Sequence, residues 1–388
     1  MASEPASGRP GGQISEMALM AKLIMKMGPD IDQISRISGQ YKETIRYRYK
    51  EKIIGRGFVV HARLNYDRLG LQRVVMRVRL GGAYAPHAKE LFVAMNKLCY
   101  VVAFNQLLPD GSYMLHANVP RDHREEFVDL MEGLRELGVF EALDVYNFEW
   151  YRNVPMRTEF FDFDHGVWEF DWTKRIEPAK DDNPGPFGPI SFDRVDLLIL
   201  KEEQADATRS LSEIRDAIMA TNGIDINYKT LAWHWAKHVQ EKRMIEGYSL
   251  RWMGTSYDSA ADRTNHRSHR YIVIPVFVHG LSDEERVWLI GEMNSVPFLW
   301  CEAAGVDYHA QLAFPVEMVN DAFSFLKTAL ERFGTRATYS VFDQSNALTF
   351  TVCYQLYDDA EREWRFNGPE ILSVFRNLVV KIGEGAGR

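Results

Sequence analysis

Apolar positions near the amino end recur at helical spacing. From Glu16 onward, Met17, Met20, Ala21, Leu23, Ile24 and Met27 share one face, which predicts an amphipathic helix. Gly28-Pro-Asp30 breaks it, and Asp32 is placed to cap a second helix over Gln33–Ser38. Gly39 turns the chain into a third helix from Tyr41 to about Lys52, after which Phe58–Leu64 alternates as a strand does. Three short helices with a tight turn between the second and third, closed by a β-ribbon, predict a winged helix-turn-helix.

The periodicity then switches back and forth. It predicts a strand over Arg73–Leu80, a helix over Ala85–Asn96, strands over Cys99–Leu107 and Ser112–Val119, a helix over Asp122–Leu137 and a strand over Ala142–Phe148. Pro109-Asp-Gly111 supplies the turn between the central strands. The order β-α-β-β-α-β is ferredoxin-like, with both helices on one face of an antiparallel sheet.

The chain repeats itself. Phe127, Leu134, Gly138 and Val145 answer to Phe323, Leu330, Gly334 and Val341 at one constant step. Met95-Asn96 answers to Met293-Asn294, Pro120 to Pro315, and Ile54-Gly-Arg-Gly-Phe58 to Ile245-Glu-Gly-Tyr248. The second copy reads as strand Tyr271–His279, helix Ser282–Asn294, strands Phe298–Ala304 and Tyr308–Phe314, helix Val316–Phe333 and strand Ala337–Phe342. The expected fold is therefore α+β, with two winged helix-turn-helix modules each followed by a ferredoxin-like βαββαβ domain. The divisions are a disordered tail (1–13), a first winged helix (14–66) and ferredoxin-like domain (67–150), a linker (151–190), a second winged helix (191–255) and ferredoxin-like domain (256–357), and a C-terminal helix and tail (358–388). The linker, with its aromatic run Phe160–Trp172 and its Pro/Gly run, reads as unlike either copy, and its aromatic part as packing across a sheet.

Composition narrows the chemistry. With 388 residues, 46% hydrophobic, the chain can fill more than one core without staples. Cys99, Cys301 and Cys353 are far apart and form no C-x-x-C pair, which argues against a disulfide scaffold, a thiolate zinc finger or an iron–sulfur cluster and for a reducing cytoplasm. The longest apolar run, Tyr271–Val278, is far short of a bilayer span and holds Pro275, so no membrane segment is expected. Net charge is −8, yet between Glu16 and Arg63 ten cations face five anions. Such a basic island is a candidate polyanion surface.

The stretch Thr44-Ile-Arg-Tyr-Arg-Tyr-Lys-Glu-Lys-Ile-Ile-Gly-Arg-Gly-Phe58, followed by Leu64-Asn-Tyr-Asp-Arg-Leu-Gly70, resembles the leucine-responsive regulatory protein/AsnC (feast/famine) family of transcription regulators. Phe192–Leu200 and Met244–Tyr248 carry the resemblance in the second copy. It implies a DNA-binding regulator, not an enzyme, that senses an amino-acid-like effector and needs no cofactor or metal. Family members carry one copy and pair two chains, whereas this chain is expected to form a pseudo-dimer internally or a homo-oligomer. On the third helix, Gln40, Glu43, Thr44, Arg46 and Tyr47 form the expected reading face toward double-stranded DNA, and Lys42, Lys50, Arg56 and Arg63 the phosphate contacts. Lys229, Trp233 and Lys237 occupy the corresponding face of the second copy, where anions outnumber cations between Asp193 and Arg251. Asp110, Gly305 and Asp307, at the central turns, are the expected effector contacts.

His234 and His238 stand four apart, a spacing that suits zinc, but no third ligand is evident in the sequence, so a structural pair is expected. The rival reading is an enzyme similar to siroheme decarboxylases, which share the two-module architecture and use histidines in a cleft. His266, His269 and His309 are the candidates, although that group's usual Arg-His, Gly-Phe and Asn-Ala-Met patterns are missing. A second rival is an interaction scaffold whose winged helices no longer touch DNA.

Overall fold

A computed structural model describes residues 15–177, 188–252 and 271–386. The predicted tail (1–13), most of the Pro/Gly run, and His266 and His269 lie outside the described residues. The first module holds α1 (Glu16–Met27), α2 (Ile31–Ser38) and α3 (Lys42–Arg48). Asp30, not Asp32, caps α2 by accepting from the Gln33 amide at 2.9 Å; Asp32 falls in the first turn and pairs with Lys42 at 2.5 Å. Beyond Arg48 the chain widens into a π turn over Tyr49–Ile53 instead of continuing as α-helix to Lys52. Ile45 and Ile53 are the buried side chains of this segment, and an α-helix would leave them about 80° apart; the wider turn brings both onto the core face. Strand β1 (Phe58–Leu64) follows.

The first ferredoxin-like unit is β2 (Leu71–Leu80), α4 (Ala88–Cys99), β3 (Val101–Leu108), β4 (Tyr113–Pro120), α5 (Arg124–Glu136) and β5 (Phe140–Val145). It continues into β6 (Phe148–Asn153) and a small hairpin, β7 (Phe161–Asp162) and β8 (Val167–Trp168). The second copy begins with α6 (Arg194–Ala205), α7 (Leu211–Asn222) and α8 (Tyr228–His234), again followed by a π turn, Trp235–Gln240, and a strand, β9 (Ile245–Trp252). Then come β10 (Tyr271–Val278), α9 (Asp283–Met293), β11 (Leu299–Gly305), β12 (Tyr308–Pro315), α10 (Val319–Leu330), β13 (Ala337–Tyr339) and β14 (Val341–Thr349). A hairpin of β15 (Tyr357–Asp358) and β16 (Glu363–Trp364) and the helix α11 (Gly368–Ala386) end the chain. The α+β architecture is the one expected: two winged-helix modules, each followed by a βαββαβ unit.

The two units exchange strands. The first sheet runs β14-β3-β4-β2-β5 and the second β13-β10-β12-β11-β6, so each unit's extra strand completes the other's edge. Neither of these exchanged strands was separated from its neighbours by the sequence pattern. The wings also pair with each other: β1 and β9 form an antiparallel ribbon, with His61 opposite Ser249 and Arg63 opposite Gly247. That pairing ties the two helical modules together and satisfies backbone groups that isolated wings would leave open.

The aromatic segment after β6 belongs to the repeat after all. Its hairpin Phe161–Trp168 recurs as Tyr357–Trp364, which similarity of sequence alone conceals because the intervening residues differ. Phe161 and Phe163 pack on Phe58, and the Trp168 indole donates to the Tyr271 hydroxyl at 3.0 Å. In the second hairpin, the Trp364 indole donates to the Leu69 carbonyl at 2.7 Å and the Tyr357 hydroxyl to that of Phe192 at 3.0 Å. Each hairpin thus wedges between a winged helix and a sheet.

Candidate functional site

The third helix of the first module presents Lys42, Glu43, Thr44, Tyr47 and Lys50 to solvent, as expected of its outer face. Its cations are largely matched in place, however. Lys42 pairs with Asp32, Arg46 with Glu43, Arg48 with Glu16 and Lys52 with Asp164. Gln40 is half-buried and its carbonyl accepts from Arg48 at 2.7 Å. Arg56 is half-buried beside the ribbon, where its backbone carbonyl takes the Trp252 indole N–H at 2.9 Å. Arg63 is a correction: it was expected on phosphate, but pairing of the wings turns it inward, with its side chain 14% exposed. In the second module Lys229, Trp233 and Lys237 are exposed, and Lys237 pairs with Glu241 at 2.6 Å.

The expected effector residues serve the turns and strand junctions that hold them. Asp110 holds Arg77 at 2.6 Å and the Ser112 hydroxyl at 2.8 Å, closing its own hairpin. Asp307 is buried and accepts from the Asn147 amide at 3.0 Å, with His279 at 3.4 Å. Gly305 sits where a side chain would strike the backbone of Asn147 and Glu149. All three residues are committed to joining strands, and none borders the cleft described next.

That cleft, of about 340 Å³, opens where the two sheets and the β1–β9 ribbon converge. Its size falls in the range of roughly 300–1,000 Å³ common for small-molecule sites. Arg63, Arg73 and Arg251 line it, and among the described residues no Asp or Glu does. The Arg73 guanidinium lies between the rings of Tyr66 and Tyr151, at 5.3 and 5.0 Å, and Arg251 lies over Trp300 at 4.9 Å. Aromatic faces are a cheap way to hold a desolvated guanidinium while leaving its N–H groups for an anion. The Nε–H groups of Arg63 and Arg73 are buried without a hydrogen-bond partner among the described residues. Burial lowers the pKa of Arg63, opposed by the Glu246 carboxylate 3.9 Å from its Nε, and burial likewise lowers that of Arg251.

Two histidines complete the lining. His61 on β1 donates from Nδ1 to the Gln204 carbonyl at 3.0 Å, which places its lone pair on Nε2. Burial, aided by Arg251, pushes its pKa down to about 4. His116 on β4 faces Arg73 instead. Its Nδ1 lies 3.0 Å from Arg73 Nη1 and, because a guanidinium only donates, accepts there. Burial, then Arg73 and His309, hold the His116 pKa well below the ordinary value. At neutral pH the cleft therefore carries two neutral imidazoles.

His116 Nε2 lies 3.1 Å from the side-chain amide of Gln311, its counterpart in the second copy, and that amide reaches His309 Nε2 at 3.3 Å. The approximate twofold axis of the duplication thus passes between His116 and Gln311. His309, the sequence candidate, is fully buried behind this layer; its Nδ1 donates to the Val276 carbonyl at 3.1 Å and burial pushes its pKa down to about 3. His61, Arg73, His116 and Arg251 were missed. Aligning the copies strand by strand is the signal that finds His116, because it shows a histidine facing a glutamine at the axis.

No protein-family model matches the sequence, and no curated protein matches it. Among solved structures, the chain is similar to a crystal structure of the siroheme decarboxylase NirDL, with 9% identity, a TM-score of 0.52, and 93% of this chain and 100% of that one covered. It is also similar to the siroheme decarboxylase NirDL in co-complex with an iron-uroporphyrin III analogue, with 8% identity, a TM-score of 0.50 and coverage of 95% and 100%. At such identity the likeness speaks to the fold, which here includes both copies. It corrects one expectation: the architecture read from the sequence as that of a non-enzymatic regulator is, over nearly the whole chain, one that an enzyme carries.

Proposed function

We propose that this chain is an enzyme that binds a tetrapyrrole bearing several carboxylates in the cleft and removes carboxyl groups from it as carbon dioxide. The observation that carries this reading is the lining itself: three arginines, no acid among the described residues, and aromatic walls, at the junction of two units whose fold over nearly the full chain is similar to that of a siroheme decarboxylase.

Arg63, Arg73 and Arg251 take the substrate carboxylates, while Tyr66, Tyr151 and Trp300 cover the edge of the planar ring. Loss of carbon dioxide leaves an electron pair on carbon that must gain a proton, so each step converts R–COO⁻ and H⁺ to R–H and CO₂. A carboxylate beside His116 raises that imidazole's pKa by opposite charge, so the substrate itself loads the proton donor. Proton uptake accompanies binding, and affinity rises as pH falls from 8 to 6.

The test is titration with iron-uroporphyrin III followed by absorbance, and incubation with siroheme followed by mass spectrometry. Saturable binding and stepwise loss of carbon dioxide support the reading. Arg73→Leu is expected to weaken binding ~10-fold or more, the scale of a lost charge-assisted hydrogen bond. His116→Phe is expected to bind and fail to turn over. No spectral change and no mass loss, with salt-sensitive retardation of duplex DNA instead, would sink it.

A further inference from the structure

The second winged helix holds a cluster that the cleft does not use. Asp193 caps α6, accepting from the amides of Val195 and Asp196 at 2.9 and 3.2 Å. Asp196, at the third position of the helix, is fully buried. Facing them are His234, the last residue of α8, and His238 in the following π turn. His234 Nδ1 lies 2.8 Å from Asp196 Oδ1 and 3.6 Å from Asp193 Oδ1, and His238 Nδ1 lies 2.8 Å from Asp196 Oδ2. One donor atom from each of the four residues falls within 4.8 Å of the others.

We propose that Asp193, Asp196, His234 and His238 bind a zinc ion. Tetrahedral zinc with bonds of about 2.0–2.2 Å sets its ligand atoms ~3.4 Å apart, and the separations here bracket that edge. Charge agrees with geometry. Among the described residues the ion pairs of both carboxylates run only to these two imidazoles, which are neutral when ligating, so a divalent cation balances two anions that are otherwise close together. Mixed imidazole and carboxylate ligands suit zinc better than calcium or magnesium, which prefer all-oxygen shells. The two histidines stand four apart across the start of a π turn, which nearly superposes such residues on one face.

The first copy lacks the set. Counting from the starts of the equivalent helices, Ala18 stands where Asp196 does, Arg48 where His234 does and Lys52 where His238 does. There Arg48 and Lys52 supply fixed positive charge and pair with Glu16 and Asp164. In the second copy the same helix contact is closed by an ion that comes from outside. Side-chain exposures of 35% for Asp193 and 18% for His238 leave a path for it.

The Trp233 ring lies 4.6 Å from that of His238 and serves as a reporter. The whole chain, stripped with chelator, is titrated with zinc alone and separately with cobalt(II). One equivalent of zinc, a rise in melting temperature, visible bands of tetrahedral cobalt and quenched tryptophan emission are expected. His238→Gln and Asp196→Asn are expected to weaken binding at least tenfold, and His279→Gln to leave it unchanged. If Asp196→Asn fails to fold, the unmodified protein and His238→Gln, with its partly exposed side chain, decide the matter. No stoichiometric zinc in the unmodified protein, or equal binding by His238→Gln, overturns the site and leaves a hydrogen-bonded histidine–aspartate network.

Discussion

Glu203 lies on the inner face of α6 with 4% of its surface exposed, and burial, with Asp206 nearby, pushes its pKa up to about 8. A carboxyl whose folded pKa exceeds its ordinary value binds its proton more tightly when folded. Its contribution to stability is full below the ordinary pKa of 4.5 and is lost as pH rises toward 8. Glu203→Gln is therefore expected to match the unmodified protein at pH 4.5 and to exceed it at pH 8 by roughly 1–3 kcal/mol, measured by urea unfolding. His61 works in the other direction. Its pKa, pushed down to about 4, gives stability that is full above 6.5 and lost as pH falls toward 4. Between pH 4.5 and 6.5 the two oppose each other, and the glutamine variant exposes the histidine slope alone. Such burial is hard to read from a sequence: Glu202 and Glu203 are adjacent in a helix, both are buried, and it is the packing of that helix, against β1 among others, that takes them from water.

The elements themselves were legible where one face is apolar and the other polar. Helices α1, α4, α5 and α10 and the central strands announce themselves in this way. The exchanged strands do not. β14 carries Asp343-Gln344-Ser345-Asn346 in its middle, with a bulge between Asp343 and Ala347 where it meets β3, and so shows no alternation. β6 runs on from β5 after a two-residue break and reads as its tail. Its junction with β11 is testable at Gly305, where an added Cβ would lie 2.7 Å from the Glu149 amide nitrogen and 2.9 Å from the Asn147 carbonyl oxygen. Backbone atoms cannot rotate away, so Gly305→Ala is expected to cost about 2 kcal/mol or more and lower the melting temperature by several degrees. Gly291 in α9 has nothing within 4 Å of the same position, and Gly291→Ala is expected to gain up to ~1 kcal/mol.

Across the whole molecule, reciprocal strand exchange, the shared ribbon and the two aromatic hairpins leave no boundary at which one copy can come apart alone. Thermal unfolding is expected to show a single transition, with far-ultraviolet dichroism and tryptophan emission coinciding; separate midpoints would contradict this. The duplication, both module types and their order were readable because they rest on local patterns repeated twice. The cleft was not, since its arginines and histidines come from β1, β2, β4 and β9 and become neighbours only when the copies close on each other. The zinc candidate shows the same limit: the histidine pair was visible, but its aspartates belong to another helix. Two identical subunits would place the same residue on both sides of their symmetry axis. Joining the copies in one chain lets His116 face Gln311, so the two halves of the cleft are free to carry unlike walls.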